Sequence, residues 1–461
     1  MTDSKLVIWL AILSRVLIII LQAFSNLFFP DHNAKVFVSP LSPPLNGSST
    51  CHSIIDTIFG GFRRWDAEYF LHIAEHGYTY ENTLVFYPLF PFCVRYITNI
   101  AHTILGIECE FRDLSLVVAV VLNVIFFVKA ALVLHQLTIE TFNNYRLARI
   151  VATLFCINPA SIFFSAPYTE SLFSWLSFSV MLHCARNEIR DAILPLALSS
   201  WCRSNELGCR SNGLLNFGFI LYYVTRDIWS KGTTNWIHFL KGFIKVLSCA
   251  IVAGIAFVIV QAYYFSPYCE GNPLEMNEAV LNYGNKNNFL LAGHQKPQWC
   301  SFAVPFSYSY LQAYYWNVGF LKYYEFKQIP NFLLAAPILV MIISHAVRFL
   351  IENPIIARRL GLIHTKENAE KSSQFVYVIH ALVLSIFCLL FVHIQVSTRM
   401  LASSSPYIYW ICAQHFQKEH HQNSFKAFLQ PKSHSTKFIK AWFLGYFVIG
   451  TVLFSNFLPW T

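Results

Sequence analysis

Asp66, Glu68, His72, Glu75 and His76 put three carboxylates and two histidines within eleven residues, in a chain where only 12% of residues are charged. They follow Arg64-Trp65 and run into Gly77-Tyr78, just past the first apolar segment. Such groups beside a membrane point to proton transfer or metal binding. Asp66 is the leading candidate for a general base, because a carboxylate flanked by Trp65 is partly desolvated and so tuned to accept a proton. The plainer reading makes it a polar residue on the wet side of an interfacial helix. Glu68 adds an Asp-x-Glu pattern, yet positions i and i+2 of a helix do not share a face, which favours one base over a metal pair. His72 to His76 also matches the H-x-x-E-H pattern of inverted zinc peptidases. Two histidines at i and i+4 of a helix could bind one zinc. A five-residue match among 17 histidines is unspecific, and Gly77 would end such a helix at once.

Further along, Glu170 stands in or near an apolar stretch, where an ionisable group reads as functional unless it sits at a membrane end. Arg210, with Asn212 and Gly213, and Arg399, after His393 and Gln395, raise the same question. An arginine facing the interior of a helix bundle suits a phosphate by charge and fork geometry. The alternative for each is a side chain snorkelling to the interface.

The elements that must position these groups are membrane helices. The chain has 461 residues, 55% hydrophobic and 17% aromatic, and several apolar runs reach the ~20 residues that cross a ~30 Å hydrocarbon core. Apolar segments fall near 6–29, 84–106, 115–137, 148–166, 170–185, 191–224 (broken), 237–265, 330–350, 374–397, 400–416 and 441–459. The reading is one polytopic all-α domain with about eleven transmembrane helices. The first run carries Arg15, exceeds a typical signal-peptide core and lacks a small-residue cleavage site, so it reads as a retained anchor. The net charge of +9 gathers at Arg226 to Lys245, Arg348 to Lys371 and Lys418 to Lys440, each beside apolar segments. That is the positive-inside pattern, and with no basic stripe on a soluble domain it excludes nucleic acid.

With the N-terminus in the cytosol, the basic loops fall on the cytosolic side and loops of about 30–83 and 266–329 on the opposite face. Asn46-Gly47-Ser48, a glycosylation sequon, agrees. Residues 54–76 read as an amphipathic interfacial helix, with Ile55, Ile58, Phe59, Phe62, Phe70 and Ile73 on its apolar side. The two prolines of Phe86-Tyr87-Pro88-Leu89-Phe90-Pro91 predict a broken helix start lining a cavity. Of the 12 cysteines, Cys156, Cys184, Cys249, Cys388 and Cys412 lie in apolar segments, whereas Cys269 and Cys300 share one loop and can pair in an oxidising lumen. Cys202-Arg203-Ser204-Asn205 recurs as Cys209-Arg210-Ser211-Asn212, a shift of seven residues that keeps both copies near one helix face.

Taken in order, these motifs resemble the PIG-V family of GPI mannosyltransferases. The likeness rests on Arg64-Trp65-Asp66-Ala67-Glu68-Tyr69-Phe70, Ile73-Ala74-Glu75-His76-Gly77-Tyr78, the Phe86 to Pro91 segment, and Asn158-Pro159-Ala160-Ser161-Ile162-Phe163-Phe164-Ser165-Ala166. It continues through Arg210-Ser211-Asn212-Gly213, Tyr315-Trp316-Asn317-Val318-Gly319-Phe320-Leu321, Lys327 to Leu333 and the tail Asn456 to Thr461. The resemblance implies a GT-C glycosyltransferase of the endoplasmic reticulum membrane. Such an enzyme adds the second mannose, in α1,6 linkage, from dolichyl-phosphate mannose to a lumenal GPI precursor glycolipid. An accessory subunit is compatible with it. Asp66 maps to the family's acidic first-loop motif. Trp65, Glu68, Glu75, His76, Glu170, Arg210, Asn212 and Arg399 are the substrate-binding candidates. The family pattern has one Arg-Ser-Asn-Gly, so segment 202–208 is extra, and Arg210 is preferred because Gly213 follows only that copy.

A β-linked donor giving an α product implies inversion, for which one carboxylate base suffices. The leaving phosphate needs fixed positive partners. A monophosphate donor has little need of a divalent metal, so neither metal nor cofactor is expected. The alternatives are a lipid or sugar transporter on a similar helical scaffold and, third, the intramembrane zinc peptidase.

Overall fold

A computed structural model describes residues 3–34, 36–40, 49–106, 109–202, 215–230, 236–272, 274–362, 369–419 and 428–460. Among these residues the structure is helical, with no strand beyond an isolated bridge between Tyr80 and Leu291. The helices are α1 (Asp3–Phe28), α2 (Ser49–Phe59), α3 (Asp66–His76), α4 (Leu89–Leu105), α5 (Phe111–Phe142), α6 (Tyr145–Cys156), α7 (Glu170–Ala185), α8 (Ile189–Cys202), α9 (Phe217–Ser230) and α10 (Trp236–Phe265). They continue with α11 (Glu278–Lys286), α12 (Ser307–Trp316), α13 (Ile329–Glu352), α14 (Pro354–Arg358), α15 (Ala369–Phe391), α16 (Ser397–Ser404), α17 (Tyr407–Glu419) and α18 (His434–Ser455).

Six of them, α1, α5, α10, α13, α15 and α18, are long and apolar enough to cross a membrane. The other apolar runs of the sequence also form helices, but shorter or interrupted ones. The 148–166 run breaks after Cys156, 191–224 holds α8 and α9 among its described residues, and 400–416 divides into α16 and α17. The chain is a multi-pass membrane protein. Helix α1 shows why: its buried positions include Ser14, Arg15, Gln22 and Ser25, while Trp9, Ile12, Val16, Leu17, Ile20, Phe24 and Leu27 are exposed. Polar side chains turned inward and apolar ones outward are stable only where the surroundings are hydrocarbon.

Helix α5 is the hub, packed against α1, α4, α6 and α7. Its buried Leu116, Val120, Asn123, Phe127, Ala130, Leu134, Leu137 and Thr141 alternate four- and three-residue steps, the spacing of a coiled-coil seam. Between α6 and α7 the chain is irregular inside the bundle, and two polar residues of neighbouring helices satisfy it. Arg15 donates to Ser161 O (2.7 Å), Ser161 Oγ (2.8 Å), Ser165 Oγ (3.0 Å) and Cys156 O (3.1 Å), with its guanidinium 3.9 Å from the Phe127 ring. Asn123 Nδ2 donates to Ala166 O (2.5 Å) and Tyr168 O (3.1 Å). Non-helical backbone at membrane depth persists only with such partners.

The loops around residues 30–83 and 266–329 build one cap. Glu81 N donates to Leu290 O (2.9 Å), Ala292 N to Thr79 O (3.1 Å), and the Tyr80 hydroxyl to Val280 O (2.8 Å). Disulfides Cys269–Cys300 and Cys51–Cys109 staple it, the first as the sequence allows and the second not foreseen. The interfacial helix expected over 54–76 is corrected. Two helices, α2 and α3, are separated by a 3₁₀ turn at Gly60–Phe62, and α3 is largely buried, Glu68 and His72 included. On the polar side of that pattern Glu68 and His72 face buried partners rather than water.

Candidate functional site

Asp66 opens helix α3, directly after Trp65, whose φ of 57° is the left-handed region that a bulky residue occupies at a cost. That turn reverses the chain so that the Asp66 backbone N–H donates to the Tyr168 hydroxyl (3.1 Å), tying the start of α3 to the α6–α7 break. The short helix α16 supplies the partner. Arg399 Nη1 donates to Asp66 Oδ2 (2.9 Å), and its Nε lies 4.0 Å from Glu170 Oε1 at the start of α7. The guanidinium also sits over the rings of Phe163 (5.3 Å) and Tyr168 (5.5 Å). Glu170 is 2% exposed and Arg399 11%, whereas Asp66 keeps 31%, so within this triad the carboxylate nearest solvent is the one placed to meet a substrate.

Two cavities meet at this pair. One, of about 90 Å³, runs from Asp66 and Arg399 toward Glu170, Tyr308, Gln312 and Tyr87. The other, of about 340 Å³, runs toward Trp65, Phe37, Gln395 and Trp460. Asp66, Tyr168, Trp316, His393, Val396 and Arg399 border both. A single carboxylate–guanidinium pair at the junction of two chambers can hold an anionic group and accept a proton at one place. Val85, Phe86 and Tyr87 line the first chamber just before α4 begins, as the two prolines predict.

The remaining expected residues separate. Trp65 borders the second chamber, its ring 6.1 Å from that of Phe457. Glu68 does not join the site. It accepts from Ser39 N (2.9 Å) and is bridged by Arg112 Nη2 (3.2 and 3.3 Å), while Arg112 Nη1 donates to Ser39 O (3.0 Å). Glu75 and His76 lie at the far end of α3, 3.6 Å from each other, and line neither chamber. Burial lowers the His76 imidazole to about 4, so it is neutral at physiological pH. Arg210, Asn212, Asn46 and the body of the 202–215 duplication lie outside the described residues.

The zinc pattern dissolves in the structure. His72 spends Nδ1 on the Ser39 hydroxyl (2.8 Å) and Nε2 on that of Thr79 (2.8 Å), leaving no nitrogen to share with His76. Among the described residues the one group with converging ligand atoms is His183, Glu188 and Asp191. It lies at the other end of α7, which at 16 residues spans about 24 Å.

Sequence reasoning missed Tyr168, Gln312 and Trp316. Tyr168 and Trp316 stand beside or within quoted motifs, but their apolar rings gave no sign of facing a cavity. Gln312 lies in an unremarked stretch of the second loop.

Comparison with known proteins is consistent along the whole chain. Residues 4–461 match the family described as Mannosyltransferase (PIG-V). The chain is 40% identical to GPI mannosyltransferase 2 of Drosophila pseudoobscura pseudoobscura, covering 98% of each. It is 34% identical to the GPI alpha-1,6-mannosyltransferase 2 of Homo sapiens, covering 100% of this chain and 99% of that one. Among solved structures, the apo oligosaccharyltransferase of Archaeoglobus fulgidus aligns with 96% of this chain and 56% of its own, at 12% identity and a TM-score of 0.43.

Proposed function

The chain belongs to the PIG-V mannosyltransferase family, and from that membership we propose that it forms the α1,6 bond of the second mannose of the GPI anchor, with dolichyl-phosphate mannose as donor. It is a membrane mannosyltransferase of GPI-anchor biosynthesis, acting on a glycolipid and a mannose donor. The relatives are transferases, which leaves the transporter and zinc-peptidase readings without support. The single observation that carries the mechanism is the Asp66–Arg399 pair at the junction of the two chambers.

In the proposed reaction the acceptor hydroxyl lies in one chamber and the mannosyl phosphate in the other. Asp66 takes the proton of the attacking hydroxyl. The new C–O bond forms at the anomeric carbon on the face opposite the departing phosphate, so the configuration inverts and no covalent sugar–enzyme intermediate is needed. Arg399 shifts its charge toward the leaving phosphate as negative charge collects there. Glu170, behind the guanidinium, keeps it oriented throughout. A carboxylate and an arginine suffice for a monophosphate leaving group, so transfer should persist in EDTA.

The disulfides of the cap support a lumenal active site, since they persist in the oxidising lumen and not in the cytosol. The test is transfer of labelled mannose from dolichyl-phosphate mannose to the one-mannose GPI precursor by purified protein in detergent, where transport has no meaning. No labelled two-mannose product, with or without EDTA, would refute the proposal. Cells lacking the protein should accumulate the one-mannose precursor.

A further inference from the structure

A third cavity adjoins the second chamber. It is bordered by Val36, Phe37, Tyr69 and Trp316, which it shares with that chamber, and by Asn82, Tyr283, Asn287, Phe289 and Tyr315 from the cap. Its volume is about 370 Å³, within the ~300–1,000 Å³ of small-molecule sites. We propose that this groove is a carbohydrate subsite that holds the glycan already present on the acceptor lipid while its terminal hydroxyl reaches Asp66. This rests on the mannosyltransferase reading and extends it to the acceptor's recognition.

Four observations carry it. First, position: Tyr69 stands one turn beyond Asp66 on α3, so a ligand in the groove is a sugar ring or two away from the base. Second, chemistry: the walls are aromatic rings, two side-chain amides and Val36, with no ionised group among the lining residues. Aromatic faces pack on the C–H faces of pyranose rings, and amides both donate to and accept from their hydroxyls. A phosphate would find no cation here, and an acyl chain would strand the amides. Third, Asn82 is 3% exposed, yet its Oδ1 has no hydrogen-bond partner in the structure. A buried acceptor left unpaired is costly, and turning the Asn82 amide into the groove to meet a sugar hydroxyl would relieve it.

Fourth, the walls are held in place before any ligand arrives. The Tyr315 hydroxyl donates to Glu81 Oε2 (2.6 Å), and Trp299 Nε1 to Glu81 Oε1 (3.0 Å). Phe37 stacks on Tyr69 at 4.3 Å, and Asn287 Nδ2 is tied to Tyr283 O (2.9 Å). Preorganised rings of this kind bind without an ordering cost.

The experiment compares wild type, Tyr283→Leu, Asn287→Ala and Tyr283→Phe in steady-state mannose transfer by the purified full-length protein. Asn287 is exposed and Tyr283 half-buried, and thermal unfolding checks that the variants are folded. The first two variants should raise the acceptor KM about 5- to 10-fold, with donor KM and kcat unchanged, whereas Tyr283→Phe, which keeps the ring, should stay near wild type. The lipid-free glycan headgroup should inhibit wild type competitively against acceptor and inhibit Tyr283→Leu about 5- to 10-fold less. Unchanged acceptor KM in folded Tyr283→Leu and Asn287→Ala overturns the subsite alone, since wild-type transfer still stands. A rise in donor KM instead would put the polyisoprenyl donor in the groove and likewise overturn it. An inactive wild type removes the mannosyltransferase reading and the subsite together.

Discussion

Replacing Asp66 by Asn separates the chemistry of this site from its architecture. The amide keeps the shape of the side chain, and its oxygen can still accept from Arg399 Nη1, now 2.9 Å from Oδ2. What it loses structurally is an ion pair that is about one-third exposed on the carboxylate side. Pairs of that exposure contribute at most about 1 kcal/mol, and here Glu170 remains to balance the guanidinium. What it loses chemically is the proton acceptor, and general-base catalysis contributes about 10²- to 10⁴-fold. The two losses therefore differ by several kcal/mol in where they appear. The assay is labelled-mannose transfer at saturating donor and acceptor, beside thermal unfolding of the same preparation. Asp66→Asn should lose at least about 100-fold in kcat, with the unfolding midpoint within a few degrees of wild type. A folded Asp66→Asn protein turning over within about tenfold of wild type would refute the assignment of Asp66 as base.

Glu68→Ala should do the reverse. It strands the buried Arg112, a change that costs about 3–5 kcal/mol, so stability should fall while the folded fraction keeps kcat and both KM values. A tenfold KM change at full stability would return Glu68 to the substrate. Arg15→Met should leave the carbonyls of Cys156 and Ser161 unpaired in the bundle at about 1–3 kcal/mol each, lowering the unfolding midpoint, with Arg15→Lys only partly restoring it. An unshifted midpoint for Arg15→Met would show that the α6–α7 break needs no partner. Burial raises the Glu81 carboxyl above its ordinary 4.5, so its stabilising contribution is full below that pH and is lost as pH rises through the folded value. Glu81→Gln, always neutral and still able to bond Trp299 and Tyr315, should unfold at a higher temperature than wild type at pH 7, the gain vanishing near pH 4.5. Equal midpoints at both pH values would count against it.

What could be read from residue order was the chemistry that is local. Asp66 and Trp65 stood out because charge is scarce near a bilayer, and the paired prolines before α4 announced a broken helix lining a cavity. The failures share one physical cause, which is that a side chain's role was set by a partner far along the chain. Glu68 looked like a substrate ligand because Arg112 is 44 residues away. Arg399 was singled out, but its pairing spans 333 residues, and no periodicity reports such a contact. Cys51 and Cys109 lie 58 residues apart on separate connections, unlike Cys269 and Cys300 within one loop. Helix α3 has a polar stripe that pattern reading assigns to water. Ser39, Thr79 and Arg112 cover it instead, so the same stripe is an interior network.

The long reach of Arg15 bears on how the protein is made. Helix α1 leaves the ribosome before α6, yet the acceptors that settle its guanidinium, at Ser161 and Cys156, lie up to 146 residues later. At about 5–20 residues per second, roughly 7–30 s pass between synthesis of the charged helix and synthesis of its partners. Through that interval a cation sits on a segment committed to the bilayer, without the carbonyls that later receive it. The nascent chain must therefore be sheltered in the insertion machinery or with Arg15 drawn to the interface. Seating of α1 is a late event, coupled to completion of the α6–α7 break.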